Sequence, residues 1–161
     1  MLDLAAGAGR HTKLLLDRGF TVHAVDRDTA AVAPLAGPRC TVEPIDFEIG
    51  ESWQLGRDYD GIIVTNYLHR PLLPALAGAL APGGALIYET FAQGNERFGR
   101  PRNPDFLLQP GELLQVFATL TVVAFEQGEV TEPRPAVIQR IAAINGPFGR
   151  LPVLDKNAVA T

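Results

Sequence analysis

A three-layer α/β domain, with a mostly parallel sheet and a C-terminal antiparallel hairpin, is the fold class this sequence predicts. Three observations carry the prediction. Short β-branched or apolar runs alternate with helix-compatible segments through most of the chain. The run "GIIVT" at 61–65 is of the short apolar kind found in strands buried on both faces. The last two strand-like runs are separated by about ten residues, fewer than the dozen or more that a parallel crossover requires.

The elements follow in order. Residues 2–5 form a short strand, and 11–18 a helix carrying Leu14, Leu15 and Leu16 and stopped by Gly19. Residues 20–25 form the second strand. A short helix over 29–35 is closed by Gly37-Pro38, and the third strand covers 40–45. The fourth strand is 61–65. A Leu- and Ala-rich helix spans 71–80, and the turn "APGG" leads into a fifth strand at 85–89. A helix begins near Pro110, where proline suits the first turn, and strands at 120–125 and 136–144 close the hairpin. One domain, 1–144, is expected, followed by a flexible tail over 145–161 whose composition is loop-like.

Composition narrows the function classes. The chain has 161 residues, 47% of them hydrophobic, enough for one sizeable core. Fourteen basic residues against eighteen acidic ones give a charge of −4, so no footprint for a nucleic-acid partner stands out. No apolar run approaches a membrane span or a secretory signal. Cys40 is the single cysteine, which leaves no disulfide framework or paired-cysteine metal site and suits a reducing, cytoplasmic compartment. His11, His23 and His69 have no close ligand spacing, so no metal is expected.

The stretch "LDLAAGAGRH" joins the first strand to the first helix. Gly7 and Gly9 permit positive φ and close approach of a ligand to the backbone, and the helix start offers free amide hydrogens. In such a Rossmann-like sheet, Asp26 stands at the end of the second strand, where a carboxylate accepts both hydroxyls of a ribose. The third strand ends in "IDFE", which brings Asp46 and Phe47 to the same crevice. There a carboxylate accepts from an exocyclic amine and a ring covers a base.

These residues resemble the motifs of the class I S-adenosylmethionine-dependent methyltransferases, and the resemblance runs from Leu2 to about Ile144. "LDLAAGAGRH" is similar to their first motif, with Ala5 where many members have glycine. "AVDRD" is similar to the second, "IDFE" to the adenine-contacting segment and "YDGIIVTNYLHR" to the fourth. The resemblance implies S-adenosylmethionine as cofactor, held by Asp3, Ala5, Gly7, Gly9, Asp26, Arg27, Asp46, Phe47 and Asn66. The stretch "ETFAQGNERFGRPRNPDFLLQPGELL" resembles small bacterial methyltransferases related to the tellurite-resistance type. Relatives that methylate amide or amino nitrogens carry Asn-Pro-Pro-Tyr where this chain reads "TNYL", which argues against those acceptors.

Methyl transfer needs nucleophile, carbon and sulfur held close and in line. Asn66, Tyr67 and His69, after the fourth strand, are the candidate catalytic residues: Asn66 to orient an acceptor, Tyr67 to face the positive sulfur, His69 as base if the acceptor arrives protonated. Glu89, Asn95, Arg97 and Arg100 are candidates for binding a small acceptor, the arginines suiting an anionic one, with Arg102 beside them. The long segment 92–104 is read as a lid or binding loop. Two other readings stay open. A nicotinamide-dinucleotide oxidoreductase shares the glycine turn and ribose acid, but Thr12 stands where its third glycine or alanine belongs. A non-catalytic fragment that binds the donor is the other. Because relatives resemble one another in having a helical segment ahead of the first strand, an upstream segment is expected, with an exposed crevice and lowered stability in its absence. The residues leave open the acceptor's nucleophilic atom and the oligomeric state.

Overall fold

The computed structural model describes residues 1–49 and 55–147. The predicted tail therefore lies, from 148 onward, outside the described residues. Seven strands form one sheet: β1 (Leu2–Leu4), β2 (Val22–Asp26), β3 (Cys40–Pro44), β4 (Tyr59–Thr65), β5 (Leu80–Phe91), β6 (Thr121–Val130) and β7 (Ala136–Ile144), in the order β3-β2-β1-β4-β5-β7-β6. The first five are parallel, and β7 runs antiparallel to both β5 and β6. The expected α/β architecture and terminal hairpin are both present. The chain order reverses at β1, where β2 and β4 flank it. In open sheets, ligands bind beyond the carboxyl ends of the strands at such a switch.

Burial explains why β1 and β4 read as unbroken apolar runs. All three residues of β1 are buried, as are Gly61 to Val64 in β4, because helices cover both faces there. Helix α1 (Arg10–Asp17) turns Leu15 inward against Val22, Cys40 and Ile63. On the opposite face, α2 (Leu73–Ala79) and α3 (Glu112–Val116) pack Leu76, Leu113 and neighbours against Leu4, Ile62, Leu86 and Ile141. Across the sheet, His23 hydrogen-bonds the Tyr59 hydroxyl through Nδ1 at 2.7 Å and Glu43 through Nε2 at 2.8 Å, linking β2, β3 and β4.

Four elements differ from the sequence reading. The first is the "APGG" segment, which lies inside β5 (Leu80–Phe91) because Leu80 already pairs with Tyr59, rather than forming a turn before a strand at 85–89. The helix expected over 29–35 is a turn ending in a 3-10 segment, Ala33–Leu35, because Pro34 has no N–H to extend a helical ladder. Strand β6 continues to Val130, well past the expected end; its outer half is mostly polar and exposed, as an edge strand tolerates. The loop over 92–104 holds 3-10 turns at Asn95–Arg97 and Pro104–Phe106.

Among the described residues, nothing covers part of one face of the sheet. Ile63, Ile87, Ala142 and Ala124 stand side by side in register on β4, β5, β7 and β6. Helix α1 covers Ile63, whereas Ile87, in the middle of a central strand, is 49% exposed. Ile87, Ala124, Phe125 and Ala142 line a shallow apolar groove there.

Candidate active site

The β1–α1 turn takes its shape from three left-handed residues: Ala5 (φ 57°), Gly7 (φ 54°) and Gly9 (φ 74°). At Gly9 a β-carbon would meet Leu35 Cδ1 at 2.8 Å and Val32 Cγ2 at 2.9 Å, so glycine there permits close packing. At Gly7 a β-carbon would meet nothing within 4 Å, so this backbone faces open space. Ala5 adopts a conformation that glycine holds without penalty, which gives a physical reason for glycine at this position in the resembling family. Replacing Ala5 with glycine relieves that strain and is expected to raise stability by roughly 1 kcal/mol, read as a higher urea midpoint.

Asp26 ties the turn to β2. Its Oδ2 accepts from Gly7 N–H at 2.8 Å and its Oδ1 from Asp28 N–H at 3.0 Å. Each oxygen keeps acceptor capacity for a further donor. Asp3 lies beneath the turn, 2% exposed, and accepts from Thr12 Oγ1 at 2.5 Å. Burial, chiefly, raises its pKa above the ordinary carboxylate range, against the Thr12 hydrogen bond and the nearby His11. Asp3 thus braces α1 on β1, and Thr12 occupies the third fingerprint position as a buried hydrogen-bond donor.

Three cavities follow the crevice. The first, an open volume of about 450 Å3, is lined by Ala5, Asp26, Arg27, Ile45, Asp46, Phe47, Glu48 and Tyr67. Arg27 faces Glu48 across it at 4.0 Å. The second, of about 460 Å3, includes Asn66, Tyr67, Thr90, Phe91, Pro101 and Phe106. The third, of about 850 Å3, shares Asn66 and Phe91 with the second and extends to Arg10, Glu89 and the β6–β7 hairpin. Asn66, itself left-handed at φ 56°, is fixed by its N–H to the Glu89 carbonyl at 2.9 Å. The Tyr67 carbonyl accepts from the buried Tyr88 hydroxyl at 2.7 Å. Burial first, then Glu48 and Asp46, push the Tyr67 phenol up to about 12, so it stays protonated near neutrality.

Solved structures share this frame. TehB from Haemophilus influenzae superposes with a TM-score of 0.70 at 15% identity, over 89% of this chain and 57% of TehB. A 1,6-didemethyltoxoflavin-N1-methyltransferase from Burkholderia thailandensis, solved with 1,6-didemethyltoxoflavin and S-adenosylhomocysteine bound, gives 0.67 at 22%, over 91% of this chain and 70% of that one. This chain has the S-adenosylmethionine-dependent methyltransferase fold. The same fold also holds the cyclase SpnF, with a TM-score of 0.69 at 13% identity over 92% of this chain and 74% of SpnF, so the methyltransferase fold alone does not fix a reaction. Among curated proteins, ribosomal RNA small subunit methyltransferase H of Novosphingobium aromaticivorans is 50% identical over 46 residues, 27% of this chain and 14% of that protein. The chain thus spans less than two thirds of the length of TehB and of that RNA methyltransferase. No protein-family model matches it.

Within the methyltransferase fold, five of the nine residues expected at the cofactor, Ala5, Asp26, Arg27, Asp46 and Phe47, line one cavity, with Gly7 bonded to Asp26 beside it. Asp3, in contrast, is buried beneath the turn, Gly9 packs on Val32 and Leu35, and Asn66 lines the second and third cavities. The expected acceptor residues scatter. Glu89 lines the third cavity and pairs with Arg140. Asn95 is 2% exposed; its Oδ1 accepts from Val137 N–H at 3.1 Å and its Nδ2 donates to the Pro101 carbonyl at 3.5 Å, so it braces the loop. Arg97 reaches away to Glu129 and the Gly94 carbonyl. Arg100 is exposed and lines none of the three cavities. The loop reaches the crevice through Pro101 and Phe106 instead. His69 opens a 3-10 turn, its carbonyl accepting from Leu72 N–H at 3.0 Å, and lines none of the three cavities.

Two features go beyond the sequence reading, which places Arg70 with Asn66, Tyr67 and His69 at the ligand end of the fourth strand but gives it no structural role. Ile45 and Glu48 complete the first cavity, and both flank residues of the "IDFE" motif already singled out. Arg70 acts as a clamp: Nε and Nη2 donate to the two carboxylate oxygens of Glu112 at 2.7 and 3.0 Å, while Nη1 and Nη2 donate to the carbonyls of Asp105 and Leu107. It fastens the segment after β4 to α3 and to the loop that closes the second cavity. Among the described residues, no group of three or more His, Cys, Asp and Glu could hold a metal ion, and no helix is long and apolar enough to cross a membrane.

Proposed function

We propose that this chain transfers a methyl group from S-adenosylmethionine to a small-molecule acceptor. One observation supports this reading most directly: Asn66 and Tyr67 stand where the ribose-and-base cavity meets the two cavities beyond it. A group carried in the first cavity faces a molecule held in the others across these two residues.

The first cavity fits the donor. Asp26, oriented by two backbone N–H groups, takes the ribose hydroxyls; Asp46 and Phe47 take the adenine; and the open backbone at Gly7 takes the methionine portion. When bound, S-adenosylmethionine supplies a methyl group activated by a positive sulfur. Asp26, Asp46 and Glu48 outnumber Arg27 around the cavity, which favours a cationic ligand. Tyr67, protonated near neutrality, orients by its ring and hydroxyl and abstracts no proton. Asn66, which lines both the second and the third cavity, positions the acceptor.

A sequence pI of about 5.3 gives no basic footprint for RNA, so the short ribosomal RNA methyltransferase match does not move the proposal away from small molecules. A cytoplasmic setting belongs to the same proposal and rests on the single, free and buried Cys40. Calorimetric titration with S-adenosylhomocysteine, and with NADH for comparison, tests the cofactor. Selective binding of the former is expected; NADH binding in its place would return the nicotinamide reading. Tight S-adenosylhomocysteine binding without turnover across an acceptor panel would favour a non-catalytic binding module.

A further inference from the structure

The third cavity differs in character from the cofactor pocket. Its walls are Phe91, Val130, Pro133, Ala136 and Ile138, and its charged groups are Arg10, Arg134, Arg140, Glu89 and Glu132. The hairpin reaches it because β7 is antiparallel: Ile138 pairs with Phe91, so the start of β7 stands beside the carboxyl end of β5. Arg140 is already committed. It lies in register between Glu89 and Glu126 and forms ion pairs with both.

Arg10 and Arg134 are different. Among the described residues neither forms an ion pair. Arg134 lies over the Phe91 ring, its guanidinium carbon 5.9 Å from the centroid, so it is stacked while its N–H groups stay available. Arg10 contributes from the first residue of α1, and among the described residues its side chain is within hydrogen-bond distance of His11 Nε2, at 3.4 Å. Glu132 offsets one of the two arginines and Glu126, the second carboxylate on Arg140, offsets the other. What sets Arg10 and Arg134 apart is therefore their lack of an ion-pair partner, among the described residues, beside the apolar side chains of a mixed polar and apolar cavity.

Resting on the methyl-transfer reading, we infer that this cavity holds the acceptor and that the acceptor is a small, flat, apolar molecule bearing a single carboxylate, in effect an aromatic acid. The apolar wall takes the ring, and Arg134 and Arg10 take the carboxylate through charge-assisted hydrogen bonds. The enclosed part of this cavity, about 340 Å3, is at the low end of the range of small-molecule sites. Asn66 and Phe91, shared with the neighbouring cavity, put the bound acid next to the proposed transfer point.

The test uses benzoate, benzamide and inorganic phosphate as probes, titrated calorimetrically into the full chain with and without saturating S-adenosylhomocysteine. Benzoate is expected to bind at least tenfold more tightly than benzamide or phosphate. Arg134→Gln and Arg10→Gln are each expected to weaken benzoate tenfold or more while leaving S-adenosylhomocysteine affinity unchanged. Arg39→Gln, at the opposite end of the sheet, should have no effect. Equal affinity for benzoate and benzamide, tighter binding of phosphate, no benzoate binding, or full benzoate affinity in both variants would overturn the inference. If benzoate binds as expected and S-adenosylhomocysteine does not, the anion site stands and the methyl-transfer reading falls.

Discussion

Replacing Asp26 with alanine is expected to weaken S-adenosylhomocysteine binding by at least about 100-fold with the fold retained. The carboxylate is proposed to accept both ribose hydroxyls. Hydrogen bonds to a charged group contribute about 1.5–3 kcal/mol each, so losing two costs about 3 kcal/mol or more, and 1.4 kcal/mol is a tenfold change in affinity. The Gly7 N–H loses its partner in the same variant, which loosens the turn that takes the methionine portion. Asp26→Asn, which keeps the shape and one acceptor oxygen, should fall between the two. Calorimetry reads the affinity and circular dichroism the fold. Unchanged affinity in Asp26→Ala would remove the ribose assignment.

Arg70→Leu is expected to lower stability by about 1–2 kcal/mol, less than for a fully buried pair because the Arg70 side chain is 37% exposed and water screens the charge left behind. Glu112, with 13% of its side chain exposed, would keep its charge without a counter-ion, and two loop carbonyls would lose their donors. Changing Glu112 to leucine as well should recover part of the loss, because no orphaned charge remains. The pair also has a pH signature. Burial acts to raise the Glu112 pKa, but the Arg70 hydrogen bond, the Gln109 N–H and the Arg70 charge outweigh it and hold it below its usual value. A depressed carboxylate stabilises the folded state above its unfolded pKa of about 4.3, and that contribution is lost as pH falls through the lower, folded value. Wild type should therefore lose stability more steeply below about pH 4 than Arg70→Leu. Parallel urea-denaturation profiles of the two proteins would count against the clamp.

How far the sequence could be read depended on the range of the interactions. Gly7, Gly9, Asp26, Asp46 and Phe47 were legible because parallel βα units bring successive strand ends to one edge, so position along the chain reports position in space. The hairpin was legible from the shortness of its connection. The reading lost ground where partners lie far apart. Arg70 and Glu112 are 42 residues apart and carry no local signal. Asn95 looked like a polar loop residue until β7 supplied the Val137 N–H that it caps, also 42 residues away. Arg134 had no motif at all: it reaches the third cavity only because β7 turns back along β5. The helix expected over 29–35 failed for a local reason, since Pro34 outweighs the alanines around it.

The bare row through Ile87 has a practical consequence for work at the bench. A sheet face that presents isoleucine and alanines to water will capture the fluorescent dyes used to report unfolding, even in the native protein. Dye-based melting curves should begin from a high signal, with part of the transition masked. Ligand-induced shifts in melting temperature are better followed by circular dichroism, and Ile87→Thr should restore a dark native baseline.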